Sequence, residues 1–337
     1  QMKLSIGIVG LPNVGKSTLF KLLTSQEILI ANYPFATIDP NVGVVPVPDE
    51  RLEKLNKLSK SKKKIPAVVE FFDIAGLVKG AHEGEGLGNQ FLTHIRDTAA
   101  VIMVLRVFKD ESIIHVENSV DPVRDLEILE TELAFKDLAT VETAWKRFEA
   151  DAKTGKADVK KSFEHLRHIK EALEKFKLIN AVEFEEARAD TKIKELNLLT
   201  SKKQLFLLNG KKEDVSDALV ARILELGGDS IIVDLAQSQG VPELIQKAYK
   251  ILDLISFFTT GEDETRAWTI RHGAKAPEAA GAIHTDFQSK FIRAEVVHWD
   301  KLLESGGWVE ARQKGFIRVE GKEYEVKDGD VMVVRHG

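Results

Sequence analysis

Gly10-Leu11-Pro12-Asn13-Val14-Gly15-Lys16-Ser17 is the stretch that decides how the chain is read. It follows a β-rich run, Lys3 to Val9, and opens a helical stretch, Ser17 to Thr24, whose apolar positions are Leu19, Phe20, Leu22 and Leu23. Strand, G-x-x-x-x-G-K-[ST] loop and helix together form a phosphate-binding loop. Gly10 and Gly15 let the backbone curl so that successive N–H groups point inward at phosphate oxygens. The helix N-terminus adds partial positive charge, and Lys16 adds a full one. Asn13, Val14, Gly15, Lys16, Ser17 and Thr18 are therefore expected around a nucleoside triphosphate, with the Ser17 hydroxyl placed for Mg²⁺.

Four more apolar runs lie downstream: Ala67 to Phe72, Ala100 to Arg106, Gln204 to Leu208 and Ser230 to Val233. Separated by helical stretches, they predict βαβ units on a parallel sheet, an α/β fold. The interval 107–203 is too long for one crossover. Its apolar residues repeat at helical spacing, first Leu126, Leu129, Leu133, Leu138, Val141, Trp145, Phe148 and Ala152. After the turn Lys153-Thr154-Gly155-Lys156 come Val159, Phe163, Leu166, Ile169, Leu173 and Phe176. That is an inserted antiparallel helical hairpin of coiled-coil character. From Thr259 short β-like pieces alternate with turns, and a small mixed β domain is expected with strands including Phe316 to Val319 and Glu323 to Val326. The expected division is a P-loop domain from 1–120 and 201–258, a helical insert at 121–200, and a C-terminal domain at 259–337. Ser59 to Lys64 reads as a solvent-facing loop.

At 337 residues, two or three domains of about 100–200 residues are expected. Hydrophobic residues make up 43% and charged residues 30%, the balance of a soluble globular chain. The absence of cysteine excludes disulfide scaffolds, iron–sulfur clusters, Cys-ligated zinc and a thiol nucleophile. No run of about 18 apolar residues is present, so the expectation is a cytoplasmic protein with no membrane partner. A net charge of −5 argues against general nucleic-acid binding, and no DNA partner is expected. RNA contact would need a local patch, for which Lys290, Arg293, Arg312, Lys314 and Arg318 are the tail candidates.

Further pieces fit a switch-type nucleotidase. Asp73 ends an apolar strand in Asp73-Ile74-Ala75-Gly76, where its carboxylate can hold Mg²⁺ through water and the Gly76 N–H can meet a γ-phosphate. Thr37, in the intervening loop, can complete the metal shell. Leu77 stands where many GTPases place a water-orienting Gln, and an apolar side chain cannot polarise water, so either hydrolysis is slow unless another group arrives or the catalytic group comes from elsewhere in the chain. The fourth strand leads into Asn209-Gly210-Lys211-Lys212-Glu213. Asn209 can serve the base and the phosphate loop. A carboxylate at the fourth position would read guanine, but Lys212 has only donors, which favours ATP. Glu213 stands one place late and substitutes only if the loop bulges.

These residues resemble the Obg-like ATPase family, the YchF group of P-loop proteins, over nearly the whole length. The matching strings are Gly10 to Thr18, Asp73 to Val78, Gly84-Glu85-Gly86-Leu87-Gly88-Asn89 and Ile113-Ile114-His115-Val116. In the tail they are Arg266-Ala267-Trp268-Thr269, Ala279 to Phe287 and Val326 to Val331. The resemblance implies a G-domain-like core, an inserted coiled coil and a C-terminal TGS domain of β-grasp type. It also implies Mg²⁺-dependent ATP hydrolysis and association with ribosomes. His115 matches the family's replacement for the missing Gln. One departure is Lys212, where the family usually carries Glu. The alternatives are an Obg-type GTPase, and a nucleotide-gated ribosome-binding module in which turnover is incidental.

Overall fold

The computed structural model describes residues 5–25, 41–73, 95–96, 98–109, 119–153, 155–179 and 182–337. Its contacts gather the chain into two compact units. Among the described residues the first unit holds 5–25, 41–43 and 70–244, and the second holds 44–69 and 245–337. The expected division had placed 44–69 with the nucleotide-binding core and begun the last domain at 259.

The first sheet is built from β1 (Ser5–Val9), β2 (Val42–Pro46) and, after β3 (Lys63–Ile65) of the second sheet, β4 (Val68–Asp73), β5 (Ala100–Arg106), β6 (Lys203–Asn209) and β7 (Asp229–Val233). Its order is β2-β4-β1-β5-β6-β7, and β4, β1, β5, β6 and β7 run parallel. Every residue of β1 and of β5 is buried, as interior parallel strands require. Parallel strands deliver their carboxyl ends to one edge, so the loops after β1, β5, β6 and β7 gather there. Helix α1 (Lys16–Thr24) follows β1 directly and buries Leu19 and Leu23, the two positions of its stretch four residues apart.

Helix α2 (Glu50–Ser59) belongs to the second unit. The helical insert is formed by α3 (Pro122–Ala152) and α4 (Ala157–Leu173). Asp121 accepts the Arg124 N–H and Pro122 occupies the first turn, which together start α3. Val141 and Phe148 of α3 bury against Leu166, Ile169 and Leu173 of α4, and Trp145 meets Phe163 edge-to-face at 5.0 Å. Two short helices, Glu185–Ala189 and Thr191–Lys194, add Ala187 and Ile193 to this core. The insert is thus thicker than the two-helix pair expected from its seams.

Asp137, fully buried on α3, accepts hydrogen bonds from Leu199 N (2.9 Å), Thr200 N (2.7 Å) and Thr200 Oγ1 (2.7 Å). Those bonds fix the turn that leads into β6. Burial pushes its carboxyl up to about 6 in spite of the three donors.

In the second unit, β3 joins β8 (Leu254–Thr260), β9 (Glu264–Arg271), β10 (Phe291–His298), β11 (Arg318–Glu320) and β12 (Asp330–His336) in the order β11-β10-β12-β8-β9-β3. The stretch Ser59 to Lys64, expected as a loop, therefore runs into an edge strand. Lys63 pairs with Glu264 and Ile65 with Arg266. Only Ile65 turns inward, and the two lysines face water, as charged edge strands commonly do. Glu323 to Val326 is not a strand; Glu325 makes one isolated bridge to Lys275. Helices Ala276–Ile283 and Trp299–Ser305 pack with the strands, so the unit is α+β. Among the described residues no helix is long and apolar enough to cross a membrane.

Candidate nucleotide-binding site

A cleft of about 910 Å³ opens at the carboxyl edge of the first sheet. One end is the loop after β1 and the first turn of α1, with Leu11, Pro12, Asn13 and Gly15 to Thr18. The other is made by Phe108 after β5, Gly210, Lys211 and Asp214 after β6, and Asp234 to Gln237 after β7. Asn209, buried at the end of β6, lines the middle.

The loop's shape follows from its sequence. Gly15 has φ +104°, and a Cβ there would stand 2.4 Å from Asn209 Nδ2, so any other residue is strained and must displace Asn209. Asn13 takes φ +64°, the left-handed region in which Asn is among the better tolerated side chains. A Cβ at Gly10 would come within 2.9 Å of Val14 Cγ2 and 3.0 Å of the Val104 carbonyl, so the loop lies tight on the sheet. Helix α1 begins without a side-chain cap and without an acidic residue in its first turn. Its leading N–H groups and partial positive charge are thus left for an anion in the cleft.

Lys16 Nζ lies 2.8 Å from Asp73 Oδ1, at the end of β4. Both side chains are largely buried, so the ammonium is held against the end of β4 and not out in solvent. Asn209 ties the two ends of the cleft together: its Nδ2 donates to the Val14 carbonyl (2.9 Å) and its Oδ1 accepts from Leu235 N (3.3 Å). Gly10, Asn13, Val14, Gly15, Lys16, Ser17, Thr18, Asp73 and Asn209 are therefore gathered about one edge of one sheet. Thr37, Gly76 and His115 lie outside the described residues, as does Leu77. Asp73 and the Ser17 hydroxyl are hard oxygen donors of the type Mg²⁺ takes, one or two from protein with the rest from water and phosphate. The donor set fits that ion.

Sequence reasoning missed most of the end opposite the phosphate loop. Lys212 and Glu213 line a neighbouring pocket of about 350 Å³ and are not in the cleft. The short 3₁₀ turn Lys212–Asp214 folds Asp214 back so that its Oδ2 accepts Lys211 N at 3.0 Å, and Asp214 takes the place at the wall. Phe108 and the loop 234–237 carried no motif. Arg106, 1% exposed at the end of β5, stacks its guanidinium 4.5 Å from the Phe108 ring centroid and donates to the Phe108 carbonyl (3.2 Å). Among the tail cations proposed for RNA, Arg312 pairs with Glu295, and Arg318 with Glu320 and Asp330. Lys290, Arg293 and Lys314 are exposed.

Fold and cleft together define a P-loop nucleotide-binding protein with a G-domain-type sheet. A family model described as a 50S ribosome-binding GTPase matches residues 5–138, and a YchF-type C-terminal model, described as a protein of unknown function (DUF933), matches residues 254–337. The ribosome-binding ATPase YchF of Bacillus subtilis is 46% identical over 99% of both chains, and that of Escherichia coli O157:H7 is 43% identical over 98% of both. A solved structure, the YchF GTPase of Schizosaccharomyces pombe, superposes with a TM-score of 0.86 at 36% identity, covering 99% of this chain and 98% of that one. The chain belongs to the YchF family. The relatives' names differ on the base, ATP in the bacterial proteins and GTP in the yeast one.

Proposed function

We propose that this chain is a Mg²⁺-dependent, slow ATP-hydrolysing switch protein of the cytoplasm that associates with ribosomes. The observation that carries the reading is the uncapped start of α1 beside the Lys16–Asp73 pair, a concentration of donors matched to a triphosphate. In this reading the amides of Asn13 to Thr18 wrap the phosphates, and Lys16 neutralises the terminal ones. Asp73 and Ser17, joined by Thr37, would hold Mg²⁺, which when bound neutralises charge developing on the phosphate oxygens. The Gly76 amide senses the γ-phosphate, and His115 orients the attacking water that Leu77 cannot. The absence of a Gln there keeps turnover slow, which suits a timer better than a metabolic enzyme. The bacterial relatives' printed names support the ribosome as partner. The helical insert at 121–200 and the C-terminal residues 259–337 are the parts that would carry the nucleotide state to it.

Two variants test this. Lys16→Ala should abolish binding of ATP as read by calorimetry with Mg²⁺ present. His115→Ala should leave the ATP dissociation constant within about twofold and slow single-turnover hydrolysis by about 10²-fold or more, the range of a positioned general acid–base or water-orienting group. Full binding by Lys16→Ala would end the triphosphate reading. Unchanged hydrolysis in His115→Ala would remove that residue from it. The GTPase alternative is decided by whether excess GTP displaces labelled ATP.

A further inference from the structure

The base end of the cleft has an unusual balance of donors and acceptors. Gly210 N donates to the Val233 carbonyl at 3.2 Å, and Lys211 N to Asp214 Oδ2 at 3.0 Å. Leu235 N donates to Asn209 Oδ1 at 3.3 Å. Ala236 N donates to Asp234 Oδ1 at 3.1 Å, and Gln237 N to both Asp234 Oδ1 (3.3 Å) and the Asp234 carbonyl (3.2 Å). All five amides are spent inside the protein. What the wall still offers is the carboxylates of Asp214 and Asp234 and the side-chain amide of Gln237, which is exposed to water. The Lys211 ammonium sits on an exposed rim where water competes, and a solvated ammonium discriminates weakly.

We propose that Asp234 is the residue that sets the base preference of this cleft, by holding the Ala236 N–H away from the ligand. Guanine presents a keto oxygen at its six-position and needs a donor there, whereas adenine presents an amino group and needs an acceptor. With the Ala236 amide engaged, the keto oxygen gives up water and gains no main-chain donor from this loop, a desolvation left uncompensated by the backbone. The amino group of adenine needs no donor at that position, so the engaged amide costs it nothing. Gln237 N keeps the Asp234 main-chain carbonyl whatever the side chain, so Ala236 N is the amide that truncation of Asp234 sets free. The inference rests on the cleft being the triphosphate site, and it assigns base choice to a position outside the Asn209 to Lys212 stretch where sequence reasoning sought it.

The test compares ATP and GTP dissociation constants, by calorimetry with Mg²⁺, for the full-length chain and for Asp234→Ala and Asp234→Asn. The wild type should bind ATP more tightly. Asp234→Ala should shift the GTP:ATP affinity ratio toward GTP by about tenfold, equivalent to about 1.4 kcal/mol. Asp234→Asn keeps a capping oxygen and should keep the wild-type ratio. An unshifted ratio in Asp234→Ala, with ATP still bound, overturns the proposal while leaving the triphosphate reading intact. Loss of all binding in Lys16→Ala is the control for that reading. A second measurement needs no variant: inosine triphosphate, which has the keto oxygen but lacks the guanine amino group, should bind the wild type as weakly as GTP. Binding of inosine triphosphate at ATP strength would also overturn it.

Discussion

Gly15 is where the phosphate loop meets Asn209 at the end of β6, and its cost to replace has two separable parts. An alanine at φ +104° suffers the left-handed strain of an L-residue, about 1–2 kcal/mol. Its Cβ would also displace Asn209, breaking the bonds to the Val14 carbonyl and from Leu235 N. Gly15→Ala should therefore destabilise the chain by about 2–4 kcal/mol in denaturant titrations, the range of a strained backbone plus a broken buried network. Removing the colliding side chain separates the two parts. In an Asn209→Ala background the same substitution should cost only the backbone share, a coupling of about 1–2 kcal/mol in the double-mutant cycle. Strict additivity would show that Asn209 is not the obstacle. The glycine and the asparagine were both legible in the sequence, because a phosphate loop and the strand-end Asn carry fixed residue types at fixed spacing. Asp234, Asp214 and Phe108 were not. Each is an ordinary residue on its own loop, and only the shared carboxyl edge of a parallel sheet makes them neighbours.

Among the elements, the helical insert was readable because its apolar seams repeat over many turns, whereas its attachment to the sheet was not. That attachment runs through Asp137, a single acid on α3 set four residues from both Leu133 and Val141, within the seam but invisible to a search for apolar positions. Its three hydrogen bonds hold the turn 199–201 at the entry to β6. Burial raises its folded-state pKa to about 6 from the ordinary 3.8, so the folded protein binds this proton more tightly than the unfolded chain. The sign follows from linkage: the group's contribution is fully present below about pH 3.8 and is lost as pH rises through about 6. The two pKa values set the loss at about 3 kcal/mol, an order-of-magnitude figure. Other carboxylates titrate in the same window, so the difference between wild type and Asp137→Asn isolates the effect. The stability of Asp137→Asn relative to wild type should climb by roughly 2 kcal/mol between pH 4 and pH 7 in urea titrations. A flat difference would mean the carboxylate is as well solvated by its three donors as by water. β3 was missed for the opposite reason: three residues, two of them lysine, carry too little hydrophobic pattern to read as a strand, and only pairing with β9 makes them one.

For the whole molecule, the division into two units implies that the C-terminal body is discontinuous in sequence. Residues 44–69 supply it with α2 and the edge strand β3. Arg51 at the start of α2 is gripped by Asp49 (2.8 Å) and by Asp328 (2.7 Å), and lies 5.1 Å from the Phe258 ring centroid. Asp328 in turn accepts Ser256 N at 3.0 Å, so one arginine links the helix, β8 and the turn before β12. Those acids hold its guanidinium well above the usual range although burial works the other way. The Pro48 carbonyl accepts from Gln246 Nε2 at 2.9 Å, and Ser61 Oγ lies 2.7 Å from Thr265 Oγ1. A fragment limited to 254–337 would leave the apolar base of α2's site exposed, the β9 edge unpaired and Asp328 without its arginine. It should melt broadly or aggregate, while a single chain joining 44–69 to 245–337 through a flexible linker should unfold cooperatively. Circular dichroism melting of the two fragments decides it, and a cooperative transition of 254–337 at the same temperature as the fusion would show that the early segment is a passenger. The outcome bears on the switch as well. The segment 44–69 lies in sequence between Thr37 and the strand ending at Asp73, so the stretch on which that unit depends for folding is covalently bracketed by two of the three proposed metal-binding positions.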